Sequence, residues 1–340
     1  MSKNARVSVL SCLTLVAALP CFLAAQAPEA APSKPDSEQV KALVAKAKKD
    51  GGAMWATEAH FFCEAPHANS PNDPLIEPTK IFDNVYALGK AGTTVYAITT
   101  PDGIILIDSG YQNEIETVLL AQMKQVNLDP AQVKMIILGH GHADHFGGAP
   151  YFQEHYGTHV YLTQADWDFM EHPPAARGGG GGKGKGPGPT LPKHDMVITE
   201  GQPIELGGEK LMPYYIPGHT PGSVGLIFPV KDNGKTHMAA IFGGTILTPA
   251  PISDEGLATY AKSIAHFKEE TKKAKVDVEL QNHSLYDNIQ EKLAALKDRK
   301  KGQPNPFVVG QANYQRFVDV MADCTQVNID RRKGTAASTR

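Results

Sequence analysis

The chain has 340 residues, 41% of them hydrophobic, enough to bury a full core in one large domain of about 250–300 residues. Its formal charge is −3, and loss of an N-terminal segment carrying Lys3 and Arg6 but no acid takes it to −5. That balance argues against nucleic acid as the main partner, since duplex binding needs a basic stripe, and leaves a small-molecule substrate as the expected one.

Residues 1–25 read as a secretory signal. Lys3 and Arg6 form the charged end, residues 7–19 the apolar body, and Leu23-Ala24-Ala25 the small-residue cleavage site. Ser8, Ser11, Thr14 and Pro20 interrupt a run already short for a membrane span, so no stable membrane insertion of the mature chain is expected. Lipid attachment at Cys21 is the weaker alternative, because Pro20 precedes it. The expected location is periplasmic or secreted. Cys12 and Cys21 leave with the signal, and the remaining pair, Cys63 and Cys324, is most simply a disulfide in an oxidising compartment. Two independent buried thiols are the alternative.

Residues 26–78 read as a leader, a short helix and an N-terminal arm. The leader 26–35 is rich in Ala and Pro; residues 37–49 carry helical spacing, with Asp36 or Ser37 as cap and Gly51-Gly52 as stop. Strands follow at 81–88, 93–99 and 104–107, with a hairpin turn at Pro101-Asp102-Gly103. A helix fits 112–126, and strands fit 134–139 and 159–162. Residues 171–194 are Gly- and Pro-rich and read as a surface loop, either a flap over the site or an insertion without a role. Further strands fit 196–199, 210–216, 223–229, 237–242 and 276–280, with helices near 257–273, 288–299 and 311–328. Residues 331–340 read as a disordered tail. Strands and helices alternate in two halves, and an αββα sandwich over residues 79–330, two mixed sheets flanked by helices, fits that order best.

The chemistry concentrates in Gly139-His140-Gly141-His142-Ala143-Asp144-His145, directly after the apolar run 134–138. That places it at the C-terminal end of a buried strand, where open α/β sheets put ligand sites. Imidazole and carboxylate together suit zinc and its borderline neighbours. Four such groups on one tight loop crowd a single tetrahedral ion, so the spacing suggests two metals sharing the loop. His219, in Pro217-Gly218-His219-Thr220, and His283, after the strand at 276–280, sit in similar settings and complete the ligand count.

Asp108-Ser109-Gly110, the His140–His145 loop, Pro217-Gly218-His219-Thr220 and His283 together resemble the metallo-β-lactamase superfamily over roughly residues 80–300. The resemblance implies one zinc on His140, His142 and His219, a second on Asp144, His145 and His283, and Asp108 as a buried acid bracing the loop. It also implies a hydrolase in which a hydroxide held between two zinc ions attacks a carbonyl, oriented by Asp144. Gly243-Gly244-Thr245 stands where many superfamily members place a metal-bridging Asp. With Asp144-His145-His283 and no such acid, the chain is similar to the third subclass of zinc β-lactamases, with Thr245 where that subclass has Ser. Thr245 is therefore expected at the catalytic centre, and Ser253 or Tyr260 as anchors for a substrate carboxylate. The reading that follows is a β-lactam-opening hydrolase. The alternatives are a lactone or ester hydrolase on the same scaffold and a non-catalytic periplasmic metal-binding protein.

Overall fold

The strands are continuous apolar runs because both their faces are buried. In Gly103–Ile107, Ile105 and Ile107 belong to one core with Ile98, Leu226 and Ile241, while Ile104 and Leu106 belong to another with Leu119, Met123 and Trp167. Alternate side chains of one strand therefore fill two different cores. The computed structural model describes residues 35–64, 73–173, 188–246 and 252–337.

The first sheet holds seven strands in chain order: β1 Thr79–Phe82, β2 Val85–Lys90, β3 Thr93–Thr100, β4 Gly103–Ile107, β5 Val133–Ile137, β6 His159–Leu162 and β7 Met196–Val197. Pairing is antiparallel up to β4 and parallel beyond it. The second sheet comprises β8 Ile204–Leu206, β9 Glu209–Tyr215, β10 Val224–Asp232, β11 Lys235–Phe242 and β12 Val278–Leu280. Its strands are antiparallel except β12, which runs parallel to β11.

Helices α1 Glu38–Gly51, α2 Ala56–Glu64, α7 Asp254–Lys273 and α9 Gln311–Ala337 cover the second sheet, and α8 Ile289–Lys297 lies at the inter-sheet core. The first sheet is covered by α3 Ala121–Gln125, α4 Ala143–Phe146, α5 Ala149–Tyr156 and α6 Gln164–Glu171. The αββα sandwich read from the sequence is the architecture found. No helix among the described residues is long and apolar enough to cross a membrane.

Several boundaries differ from expectation. The strand expected at 81–88 is two strands, broken by the turn at Asp83-Asn84. The segment 112–126 is a 3₁₀ turn and a π-type segment before α3, not one helix. The tail expected to be disordered is helical to Ala337. Arg331 is the reason: it forks onto both Asp36 oxygens at 2.8 and 2.7 Å and donates to Cys63 O. In the N-terminal arm, α1 and α2 share a core with α9, Ile264 and Phe267. The signal peptide and most of the Gly-rich flap fall outside the described residues. Its C-terminal flank is tied down, with Thr190 exchanging bonds with Gln112 and Lys193 with Gln153.

Cys63 and Cys324 form the expected disulfide, 261 residues apart in sequence and 4.6 Å between Cα atoms. In the chain-entropy picture, closing so long a loop stabilises by on the order of 5 kcal/mol. The unreduced protein should therefore take up no alkylating reagent at either cysteine, and Cys63→Ser with Cys324→Ser should lower the denaturant midpoint. The Arg331 hydrogen bond holds the Asp36 carboxyl below its usual range, against a smaller opposing effect of burial. A carboxylate so depressed contributes stability above its unfolded pKa, about 4, and loses that contribution as pH falls through the folded value. The stability gap between wild type and Asp36→Asn should stay level from neutral pH down to about pH 5 and shrink below pH 4.

Candidate metal centre

The site lies where the ends of both sheets meet. Asp108 follows β4 with a φ of 62°, a left-handed conformation uncommon for a non-glycine residue. That turn aims its buried carboxylate across the end of β5. Oδ1 accepts from Gly139 N at 2.7 Å, and Oδ2 accepts from His145 Nδ1 at 2.7 Å and Asn282 Nδ2 at 3.2 Å. The Asp108 carboxylate thus bonds the metal loop at its start, through Gly139, and at its end, through His145.

Two groups of donors face each other within the site. His140, His142 and His219 form one, and Asp144, His145 and His283 the other, with the ligand atoms of each within 4.8 Å of one another. In the first, His140 Nε2 is 3.1 Å from His142 Nδ1 and 3.1 Å from His219 Nε2. His140 Nδ1 donates to Gly243 O at 2.7 Å, so its Nε2 presents a lone pair to the other rings. Burial, followed by the neighbouring imidazoles, holds His140 and His219 well below the usual histidine range, and both are neutral. Converging lone pairs repel unless a cation sits among them. Ligands about 2.0–2.1 Å from a tetrahedral zinc stand about 3.3 Å apart, close to the spacing here.

In the second group, His145 Nε2 lies 3.2 Å from His283 Nε2 and 3.3 Å from Asp144 Oδ2. His283 Nδ1 donates to Gly92 O at 2.6 Å, which again turns Nε2 inward. Burial disfavours a charged His145, but Asp144 and Asp108 outweigh it and push its pKa up to about 10. Burial likewise opposes ionisation of Asp144, yet His145 and His283 hold its carboxyl far below the usual range. A cation entering this group exchanges with the His145 proton. The residues present therefore fit two borderline divalent ions, zinc first among them.

Four supporting residues carried no functional signal in the sequence. Asn282 Nδ2 bridges Asp108 Oδ2 and Gly243 O. Gly92 carries the carbonyl that orients His283. Lys292 pins the His283 loop from behind, reaching Glu279 and Asp287 at 3.0 Å each. Asp166, buried on α6, accepts from Gly141 N and Gly222 N at 2.7 Å and from Thr220 Oγ1 at 2.7 Å. Its spacing from Thr163, Thr-x-x-Asp, was legible only as the start of a helix.

The expected catalytic contact of Thr245 is not found. Its hydroxyl is fully buried and donates to Phe242 O at 3.1 Å or Gln281 Oε1 at 3.2 Å. Ser253 and Tyr260 do not anchor at the cluster either. Ser253 Oγ caps α7, and the Tyr260 hydroxyl accepts from Ile246 N. In all three, a nearby backbone group takes the hydroxyl that the sequence left open for substrate.

Two substitutions should separate the groups. His283→Ala should weaken only the second binding step and His142→Ala only the first, read by elemental analysis and by competition with a chromophoric chelator. Asp108→Asn, which leaves His145 Nδ1 without its carboxylate partner, should cost about 10–100-fold in affinity at the second step.

Residues 88–232 match the family model of the metallo-beta-lactamase superfamily. Over 177 residues the chain is 29% identical to "Probable metallo-hydrolase YflN" of Bacillus subtilis, covering 48% of this chain and 64% of that protein. It is 28% identical over 158 residues to "Hydroxyacylglutathione hydrolase GloC" of Haemophilus influenzae, covering 44% and 66%. The chain thus spans just under two thirds of either relative. Among solved structures, BJP-1, a subclass B3 metallo-beta-lactamase of Bradyrhizobium japonicum, superposes with a TM-score of 0.62 at 23% identity, covering 80% of this chain and 98% of that one. The matched segment identifies residues 88–232 as a metallo-beta-lactamase superfamily domain, and the solved structure shares its fold.

Proposed function

We propose that the chain is an exported two-zinc hydrolase that opens strained cyclic amides, with β-lactams as its substrate class. The observation that carries this reading is the donor set, five imidazoles and a single carboxylate. The segment Gly243-Gly244-Thr245 adds no acid, and its glycines have no room for one. A Cβ on Gly243 would meet Val224 O at 2.3 Å, and one on Gly244 would meet the Ser223 side chain at 2.6 Å. Zinc held by these donors supplies Lewis acidity and a nucleophile drawn from water at neutral pH.

With one carboxylate among six ligands, the loaded centre keeps a strong positive charge. It favours a substrate that brings an anion and releases one. A β-lactam does both, through its ring carboxylate and its departing amide nitrogen. A lactone lacks the carboxylate, and its alkoxide leaves with less help. Asp144, whose side chain is 24% exposed against 1% for His145, is the carboxylate that solvent reaches. Ionised throughout the working pH range, it accepts a hydrogen bond from an incoming water and orients it without acting as an acid. Phe169, with its ring 5.8 Å from that of His142, gives the site an apolar wall.

The solved β-lactamase with the same sandwich supports the reading at the level of fold. The curated relatives favour a second one, cleavage of a thioester or other small ester, because their names are metallo-hydrolase and hydroxyacylglutathione hydrolase. Export draws support from the Cys63–Cys324 disulfide, a bond of oxidising compartments.

A panel of β-lactams, lactones and thioesters on zinc-loaded protein tests the reading. β-Lactams should give the highest kcat/KM, chelation should abolish turnover, and zinc should restore it. Efficient lactone or thioester cleavage without β-lactam turnover would overturn the substrate class and leave the metal centre intact. Full zinc content with no turnover on any class would favour a metal-binding protein.

A further inference from the structure

We propose that Asp166 is the positioning residue of the three-histidine group, holding the loop of His140 and His142 in register with the loop of His219. This rests on the reading of that group as a metal site.

The two loops come from different sheets, and no covalent link near the site joins them. Asp166 touches both. Its Oδ2 accepts from Gly141 N, between the first two histidines, and from Thr220 Oγ1, directly after the third. Its Oδ1 accepts from Gly222 N. All three bonds are 2.7 Å, and the side chain is fully buried.

A simpler reading makes Asp166 a helix-capping residue, since Thr163 caps α6 and Asp166 stands three residues on. A capping box would turn the carboxylate back to Thr163 N. Among the described residues neither oxygen makes that bond; both are spent on the ligand loops. The surroundings are built to match. Thr163 Oγ1 donates to Gly222 O at 2.7 Å, and a Cβ on Gly222 would meet that same oxygen at 2.0 Å. A Cβ on Gly141 would meet Met170 of α6 at 2.9 Å. Both glycines are thus packed hard against the helix that carries Asp166.

His219 shows why such a brace matters. His140, His145 and His283 each fix their ring by donating Nδ1–H to an oxygen. His219 Nδ1 is buried with no hydrogen-bond partner among the described residues. Its ring is placed by its backbone, and its backbone is held on the C-terminal side by Thr220 and Gly222, both bonded to Asp166. The two buried acids differ in reach: Asp108 bonds a ligand of the second group and meets His140 only indirectly, through Asn282 and Gly243 O, whereas Asp166 bonds the chain around all three ligands of the first.

Asp166→Asn keeps the shape but offers one oxygen where two are used, and sets an NH₂ against a donor. Zinc binding in wild type and variant is resolved by competition with a chromophoric chelator. Cobalt(II) absorption spectra identify which group is filled, and thermal unfolding of the metal-free proteins reports general damage. The first-group affinity should fall by about 10–100-fold with the second unchanged. Thr220→Val, which removes one donor and no charge, should give a smaller loss at the same group, and it decides the matter if the asparagine variant does not fold. Equal weakening of both groups, or no change at either, would overturn the proposal while the metal reading stands. Failure of the wild type to take up metal would overturn both.

Discussion

Asp108 closes the first sheet onto the second. Its left-handed backbone turns a carboxylate toward three N–H groups drawn from different parts of the chain: Gly139 after β5, His145 in the following turn, and Asn282 after β12. Leaving such a group buried and unpaired would cost several kcal/mol, whereas hydrogen bonds to a charged group contribute about 1.5–3 kcal/mol each. The carboxylate is therefore stable only when all three elements are in place. Asn282 extends the network, because its amide also donates to Gly243 O, the carbonyl that orients His140. One acid thus reaches both donor groups, directly through His145 and through Asn282 to His140.

The sheets can approach this closely because glycine lines the contact. A Cβ on Gly139 would lie 2.9 Å from Gly243 O, and one on Gly243 would lie 2.9 Å from Gly139 Cα. Backbone packs on backbone here, and Val224 N donates to Gly139 O across the same gap. The glycines around the metal loop are therefore a packing requirement of the seam. They also exclude a carboxylate from the one segment where a further acidic ligand would be looked for.

Much of this was legible in the sequence, and for identifiable reasons. The sandwich showed because strands buried on both faces leave apolar runs such as Ile104–Ile107, and turn signals such as Pro101-Asp102-Gly103 punctuate them. The ligands showed because three histidines and an aspartate in one short loop have few other uses. What stayed hidden depends on contacts distant in sequence. Asp166 sits 25 residues from Gly141 and 54 from Thr220, so no local pattern separates it from an ordinary helix start. Thr245 misled for the converse reason: alignment gives a position, while the direction of a hydroxyl is set by acceptors such as Gln281, 36 residues away. The C-terminal helix outran its apolar spacing because Arg331 is held by Asp36, 295 residues earlier.

These arrangements carry a cost that bears on the role of metal. The folded chain holds His140, with a lowered pKa, 3.1 Å from ring nitrogens of His142 and His219, and a buried, protonated His145 wedged between two carboxylates. The crowded imidazoles do not stabilise a metal-free protein, whereas the His145 proton, held by Asp144 and Asp108, does and must be displaced by an entering cation. Anything that binds this state and not the unfolded chain stabilises it by mass action, so cations entering the two groups relieve what the fold compresses. Most of the metal-free stability comes from outside the site. The described structure supplies it in the three cores, in the long loop closed by Cys63–Cys324, and in the helices that Arg331 fastens together. The donor groups are arranged for cations while the scaffold around them supplies the packing, the division expected where local rules are broken for function.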